Sequence, residues 1–359
     1  MKILSLSDLH IRLKDDNRYR TDLIQVIRFV LELTKTQRPD YVMIGGDLFD
    51  TKHPTMSEFS LATAFVKGLL LHSKVILIAG NHDEPNNTES HNTLQPLANL
   101  KIPGLYVLSE PGLYALGDID VLALPYLYQD RDAHLAQLKQ AHDTYTGQNL
   151  FLLAHLWVPG FGNLPHAPSE FTVTQEYLTS LTKVKYGVLG HIHIAGEAAP
   201  RIYYNGSPYR VDWGETEHHK SLYLWEDGKL QEYITPVAQL ITCDYDAAMP
   251  TALSAPTMIK IRAHNVPFEK LVDVEALRKS LEAQGHTVKV DLALQAAQFT
   301  RESDISAGTG FNEFFTEYIN KQMLDAEDRT AILDICNQVL TEKLTKKSSP
   351  FDLTGEDAK

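Results

Sequence analysis

Again and again in its first two-thirds, the chain runs through a short apolar segment and then presents side chains that bind metals. Ile3–Ser7 leads to Asp8-Leu-His10, and Tyr41–Ile44 leads to Gly45-Gly-Asp47-Leu-Phe-Asp50. Val75–Ala79 leads to Gly80-Asn81-His82-Asp83, Phe151–Ala154 to His155, and Tyr186–Leu189 to Gly190-His191-Ile-His193. A short apolar run stopped by glycine or a carboxylate reads as a buried strand. The carboxyl ends of strands are where α/β architectures gather ligands. Side chains at i and i+2 of an extended chain share a face, so Asp8 with His10, and His191 with His193, can converge on one point.

Each piece taken singly has an ordinary explanation. A lone His82 or His155 is more often a hydrogen-bonded structural histidine, and Asp47 or Asn81 could be a turn residue or a helix cap. Five strand ends all carrying oxygen and imidazole donors are not what caps and core histidines produce. A set of Asp, Asn and His without Cys favours manganese, iron, zinc or magnesium over a structural zinc cage. Asp8, Asp47, Asn81, His10, His155, His191 and His193 are too many donors for one ion. They suit two divalent ions about 3.5–4 Å apart that share a carboxylate, the arrangement that activates water and neutralises phosphoryl charge.

Between the strands the spacing turns helical. Leu23, Val26, Ile27, Val30, Leu31 and Leu33 predict a helix over 22–36 that Pro39 stops, and a second is expected over 57–71. Strand, helix, strand at this rhythm implies crossover connections and largely parallel pairing. From Leu105 the texture is one of strands and turns, closing in a hairpin at Asp227-Gly228. The fold class expected is α/β (α+β), a β-sandwich flanked by helices. After Pro236 a small βαβ-like unit follows: strands over 258–263 and 288–294, and a helix over 274–284 with Asp273 as N-cap and Gly285 after its end. Phe311, Phe314, Phe315, Tyr318, Ile319 and Met323 then begin an amphipathic helical pair that runs to Leu340. Domains are therefore expected at 1–236, 237–300 and 301–345, with a polar tail over 346–359.

The formal net charge of −13 supplies no global field that would draw the chain to nucleic acid. It leaves room for an enzyme whose metals and local basic loops meet phosphate. The candidate loop is Arg12-Leu-Lys14-Asp-Asp-Asn-Arg18-Tyr19-Arg20, which suits either phosphate contact with base stacking or a solvated approach to a helix. Cys243 and Cys336 cannot form a disulfide framework, which fits a reducing compartment. No run of residues approaches a membrane span, and a cytoplasmic protein is expected.

In order and spacing, Asp8-x-His10, Gly45-Gly-Asp47, Gly80-Asn81-His82-Asp83, His155 and Gly190-His191-x-His193 resemble the motifs of the calcineurin-like metallophosphoesterases. The resemblance implies that Asp8, His10, Asp47 and His193 hold one metal, and that Asp47, Asn81, His155 and His191 hold the other. His82 would act beside the scissile phosphate as proton donor or transition-state stabiliser, with Asp83 either orienting its ring or serving a turn. Asp47-Leu-Phe-Asp50-Thr-Lys52, Tyr204-Asn-Gly-Ser207-Pro and Asp212-Trp-Gly-Glu215 bring the chain closer to the SbcD (Mre-type) DNA-repair nucleases, bacterial or phage. That likeness implies manganese-dependent cleavage of DNA, homodimerisation, and docking of the carboxy-terminal helices on an SbcC-like SMC-type ATPase. The same helical stripe could pack on its own domain. Two other readings stand beside it: a small-molecule or nucleotide phosphodiesterase with the same metals, and a non-catalytic scaffold, against which the complete ligand set speaks.

Overall fold

The structure, a computed structural model, describes residues 1–13, 17–84, 92–163, 171–215, 219–245, 257–267 and 270–294, and position 330. It divides into one unit spanning Met1–Gln239 and a second that begins at Leu240.

The first unit opens with β1 (Lys2–Leu6), α1 (Asn17–Gln37), β2 (Tyr41–Ile44), α2 (Met56–Leu70), β3 (Lys74–Ile78), α3 (Gln95–Asn99) and β4 (Leu105–Leu108). Next come β5 (Gly112–Ala115), β6 (Asp120–Leu124), α4 (Arg131–Thr144), β7 (Leu150–His155), α5 (Gln175–Thr179) and β8 (Val184–Gly190). It closes with β9 (Gly196–Ala199), β10 (Ile202–Tyr204), β11 (Ser221–Glu226) and β12 (Lys229–Ile234). The strands form two six-stranded sheets, ordered β12-β11-β1-β2-β3-β4 and β5-β6-β7-β8-β10-β9. From β1 to β4, and again from β6 through β7 and β8 to β10, pairing is parallel.

Alternation along each strand sorts its side chains into layers. Ile3, Tyr41, Met43, Ile76 and Ile78 of the first sheet meet Val121, Ala123, Phe151, Leu153, Tyr186 and Val188 of the second in a central core. Their neighbours Leu4, Leu6, Val42, Ile44, Val75 and Leu77 face the other way, onto Leu23, Val26, Val30, Phe65 and Leu69 of α1 and α2. On the far side of the second sheet, Leu122, Leu152, Ala154 and Leu189 pack with Leu138 of α4 and Leu178 of α5. Burial on both faces is why these strands read as continuous apolar runs. The result is a helix-flanked β-sandwich with parallel strands aimed at a common edge.

Helix boundaries follow local chemistry. Thr55 and Glu58 cap α2 reciprocally, and Glu58 also accepts the Leu13 N–H at 2.8 Å, which ties the loop after β1 to this helix. The region after Leu105 departs from the expected strands and turns, because α4 lies within it. Its face is mostly polar, with Leu138 and His142 buried, too few apolar positions to signal a helix.

The second unit contains β13 (Leu240–Asp244), β14 (Met258–Val266), α6 (Leu271–Ala283) and β15 (Thr287–Leu294), an all-parallel sheet ordered β13-β14-β15. Asp273 does not cap α6. The helix starts earlier, with Lys270 at the cap, and Asp273 lies in the first turn, accepting from Lys270 Nζ at 2.8 Å. An acid there complements the helix dipole as well as a cap would. At the other end Gly285 takes φ 89°, and the His286 N–H returns to Leu281 O at 3.2 Å. Apart from position 330, the expected helical pair at 301–345 and the tail lie outside the described residues.

Candidate metal centre

The loops that follow β1 and β2 are laced together: Asp8 N–H donates to Gly46 O at 3.0 Å, and His10 N–H to Asp47 O at 2.9 Å. The second sheet is fastened to them by the His191 N–H, 2.9 Å from Asp8 Oδ1, and by His155 Nδ1, 2.8 Å from Gly45 O. So close an approach needs glycine. A Cβ added at Gly80 would overlap Asp47 Oδ1, and one at Gly190 would overlap Gly45 O. Asp8, His10, Asp47 and His191 sit in the left-handed region, at φ 52°, 41°, 48° and 96°. Strained backbone of this kind collects at functional sites, held by surrounding structure.

Seven donors from five strand ends come together. Asp8, His10 and His193 form one group with ligand atoms within 4.8 Å of one another, His10, Asp47 and His82 a second, and Asp8, Asp47 and His155 a third. Asp47 Oδ2 lies 3.5 Å from His10 Nε2 and 3.6 Å from His155 Nε2, and Asp47 belongs to the second and third groups. Asn81 Oδ1 is 3.0 Å from His155 Nε2 and 2.9 Å from His191 Nδ1. His10 Nε2 and His193 Nε2 face each other at 3.1 Å.

The charge balance calls for cations. Burial pushes Asp47 well above its ordinary value, and the neighbouring Asp83 and Asp8 carboxylates add to the rise. Burial opposes ionisation of Asp8 too, but His155, His193 and His10 outweigh it and hold its pKa down. Burial lowers His10 to about 4 and His155 to about 3, so both rings are neutral near pH 7 and offer lone pairs. Because His155 donates Nδ1–H to the Gly45 carbonyl, its Nε2 carries a lone pair aimed at the amide oxygen of Asn81, 3.0 Å away. Buried carboxylates, neutral imidazoles and an amide oxygen in that geometry fit a pair of divalent ions.

A supporting layer surrounds these donors. Glu215 Oε1 lies 2.6 Å from His193 Nδ1, and its Oε2 accepts from Lys220 Nζ at 2.5 Å and Ser207 Oγ at 3.1 Å. Burial would raise the Glu215 pKa, yet His193 and Lys220 bring it down to about 2. Tyr209 donates its hydroxyl to His10 O at 2.9 Å, and Asn205 Nδ2 reaches Ser5 O at 2.8 Å. Tyr204-Asn-Gly-Ser207-Pro and Asp212-Trp-Gly-Glu215, visible in the sequence only as part of a resemblance, thus back the site from behind. The spacing of a lone Glu or Lys carries no signal of such a role.

His82 and Asp83 are held by separate contacts, and of the two roles considered for Asp83 these contacts favour the turn. The His82 ring is held through Nδ1 by Asp50 O at 2.8 Å and stands edge-on to His10, with centroids 4.7 Å apart. Asp83 turns away from that ring. Its buried carboxylate accepts the N–H groups of Leu48, Phe49 and Gly80 at 3.1, 3.0 and 3.0 Å, shaping the loop that carries Asp47. Burial raises Asp83 to about 6 against the pull of these donors.

Of the basic loop, Arg12 donates to Val211 O, lies 3.6 Å from Asp50 Oδ1, and places its guanidinium 4.6 Å over the ring of Tyr19. Tyr19 is buried and Arg20 exposed, at the start of α1. Lys14 lies outside the described residues, and so does the side chain of Arg18.

A two-sheet sandwich with buried carboxylates and imidazoles at its strand ends defines a metal-dependent phosphoester hydrolase. The family model described as calcineurin-like phosphoesterase matches residues 1–195. The chain belongs to the calcineurin-like phosphoesterase family, whose members depend on two metal ions. Among curated relatives, the DNA double-strand break repair protein Mre11 of Aeropyrum pernix is 28% identical over 218 residues, 56% of this chain and 50% of that protein. The chain spans about half the length of the curated relative it matches. Among solved structures, TT1561 of Thermus thermophilus gives a TM-score of 0.42 at 15% identity over 65% of this chain and 98% of that one. The Pseudomonas putida nuclease MPE gives 0.27 at 16% identity over 64% and 87%. At those scores neither bears on function. Among the described residues no helix is long and apolar enough to cross a membrane.

Proposed function

We propose that the chain is a manganese-dependent DNA nuclease, the nuclease subunit of an SbcCD/Mre-Rad-type repair complex. It would act as an exonuclease on double-strand ends and an endonuclease on single strands or hairpins. The observation that carries the reading is the buried Asp47, whose Oδ2 lies within 3.6 Å of Nε2 of both His10 and His155. Similarity to Mre11 over 218 residues supports DNA as the substrate class.

In this reading Asp8, His10, Asp47 and His193 hold one ion, and Asp47, Asn81, His155 and His191 the other. When bound, the ion pair supplies water activation and neutralises charge on the phosphoryl oxygens. The chain's own residues bind, aim and protonate. With Nδ1–H held by the Asp50 carbonyl, His82 would act as an imidazolium that gives its Nε2 proton to the sugar oxygen as the P–O bond breaks, and would be left neutral with the proton on Nδ1. Asp83 fixes the Asp47 loop through three backbone N–H groups rather than touching substrate.

For the remaining segments, residues 237–300 serve as a DNA-access domain and residues 301–345 bind an SbcC-like ATPase. Two copies pair, and the complex works in the cytoplasm. The deciding experiment incubates the protein with manganese and either linear or hairpin DNA, bis-p-nitrophenyl phosphate or cyclic nucleotides. Cleavage of DNA is expected, and turnover of the small esters alone would replace the nuclease reading with a nucleotide phosphodiesterase.

A further inference from the structure

The buried network behind His193 is built around one carboxylate. Glu215 places Oε1 2.6 Å from His193 Nδ1, and its Oε2 receives Lys220 Nζ at 2.5 Å, Ser207 Oγ at 3.1 Å and the Val211 N–H at 3.4 Å. The Arg210 Nε–H grips the Glu215 backbone carbonyl at 3.2 Å. Lys220 also donates to Ser207 Oγ at 2.8 Å and to His193 O at 3.0 Å, so it holds the same histidine by its main chain. The Lys220 side chain is 2% exposed and that of Glu215 13%, whereas that of His193 is 26% exposed. The ring that would meet an ion is thus the open end of a closed polar chain.

This arrangement does two things to His193. A carboxylate at Nδ1 fixes the tautomer with the proton on that atom, leaving Nε2 as a lone pair. Two tethers, one on the ring and one on the backbone carbonyl, fix the orientation that puts Nε2 3.1 Å from His10 Nε2 and 3.9 Å from Asp8 Oδ1. Two other proposed ligand histidines are held differently. His155 uses the Gly45 carbonyl at 2.8 Å, and His10 Nδ1 lies 3.5 Å from Asp50 Oδ1.

We infer that Glu215, locked by Lys220 and Ser207, is a positioning residue that sets the affinity of the ion held by Asp8, His10 and His193, and leaves the other ion largely unaffected. The inference rests on the two-ion reading above. Outer partners of metal-bound histidines are typically worth about 10–100-fold in affinity, and a loss in that range at one ion is the expected effect.

The test measures manganese binding, not turnover. Full-length wild type and Glu215→Gln are titrated with manganese by calorimetry, with electron paramagnetic resonance reporting whether the two ions are spin-coupled. Thermal unfolding in EDTA reads the fold alone. The amide keeps the shape and can still accept from Nδ1–H, but lacks the charge. Glu215→Gln is expected to bind one ion as tightly as wild type and the second at least about 10-fold more weakly, losing the coupled signal at low manganese. Because Glu215→Gln strands the buried Lys220 charge, Glu215→Gln with Lys220→Met supplies a variant in which neither charge remains. The same selective loss is expected there, and Glu215→Asp should recover part of it. Equal affinity for both ions in the variants, or equal weakening of both alongside a lowered melting point in EDTA, would overturn the inference while leaving the two-ion reading intact. A wild type that takes up no manganese would remove both.

Discussion

His155 places Nε2 3.0 Å from Asn81 Oδ1 while its Nδ1 lies 2.8 Å from the Gly45 carbonyl. The carbonyl can only accept, so Nδ1 carries the proton and Nε2 turns a lone pair toward another acceptor. Two acceptors at that separation repel unless a cation lies between them and their neighbours. His10 Nε2 and His193 Nε2 also approach each other, to 3.1 Å. The donors are held together by backbone geometry from five strand ends, in an arrangement that bound divalent ions would complete.

Metal should therefore stabilise the fold. With buried carboxylates relieved by bound ions, manganese at about 100 times its dissociation constant adds roughly 2.7 kcal/mol. At about 2–4 °C per kcal/mol for a unit of this size, the melting point should rise by several degrees over that in EDTA. Differential scanning fluorimetry checks this, and identical curves would count against the site.

Asp47 carries the heaviest load of any single side chain. Asp47→Asn should weaken uptake of both ions and reduce hydrolysis by at least about 100-fold, since the charge shared by two ions is gone. Metal content after gel filtration, read by plasma mass spectrometry, distinguishes this from loss of one ion.

His82 should behave in the opposite way. It binds through Nδ1 to the Asp50 carbonyl and is assigned to proton transfer, so His82→Ala should keep both ions while turnover falls by about 10²–10⁴-fold. Normal DNA cleavage by that variant would remove its role.

The pH dependence of metal binding follows from His193. Burial works against its charged form, but the hydrogen bond to Glu215 and the Asp8 charge prevail and raise its pKa above the ordinary value. A raised value means that a proton competes with the ion at Nε2 until the pH exceeds it. Manganese affinity should then climb as the pH rises past the ordinary histidine value and level off once His193 is neutral. His10 at about 4 and His155 at about 3 add no slope in that range. Calorimetric titrations across the range give the slope, and a flat profile would contradict the assignment.

Packing around the glycines offers a stability test. Gly80→Ala drives a methyl group into Asp47, so a loss of roughly 1–3 kcal/mol in urea unfolding is expected together with impaired ion uptake. Gly228→Ala should not touch the site, since nothing lies within 4 Å of the added carbon.

The site could be read from the sequence because ligands follow strands. Once Ile3–Ser7, Tyr41–Ile44 and Tyr186–Leu189 are taken as strands, the residues just beyond them must share an edge. The layered core was legible for the same reason, because strands buried on both faces are apolar throughout. What escaped was whatever depends on tertiary partners. Asp83 follows His82 directly, yet the bend there aims its carboxylate at the N–H groups of Leu48 and Phe49. Glu215 and Lys220 are ordinary charged residues until the fold buries them behind His193. Tyr19 looked like a stacking platform, and its own helix turns it inward beneath Arg12. The polar surface of α4 hid a helix whose buried residues are Leu138 and His142, with Leu135 and Ala141 partly buried beside them.

Crystals soaked in manganese and measured at a wavelength with strong anomalous signal test the central claim most directly. The expected map has two peaks about 3.5–4 Å apart, one beside Asp8, His10 and His193, the other beside Asn81, His155 and His191, with Asp47 touching both. A map without peaks at these residues, or with a single peak away from Asp47, would contradict it.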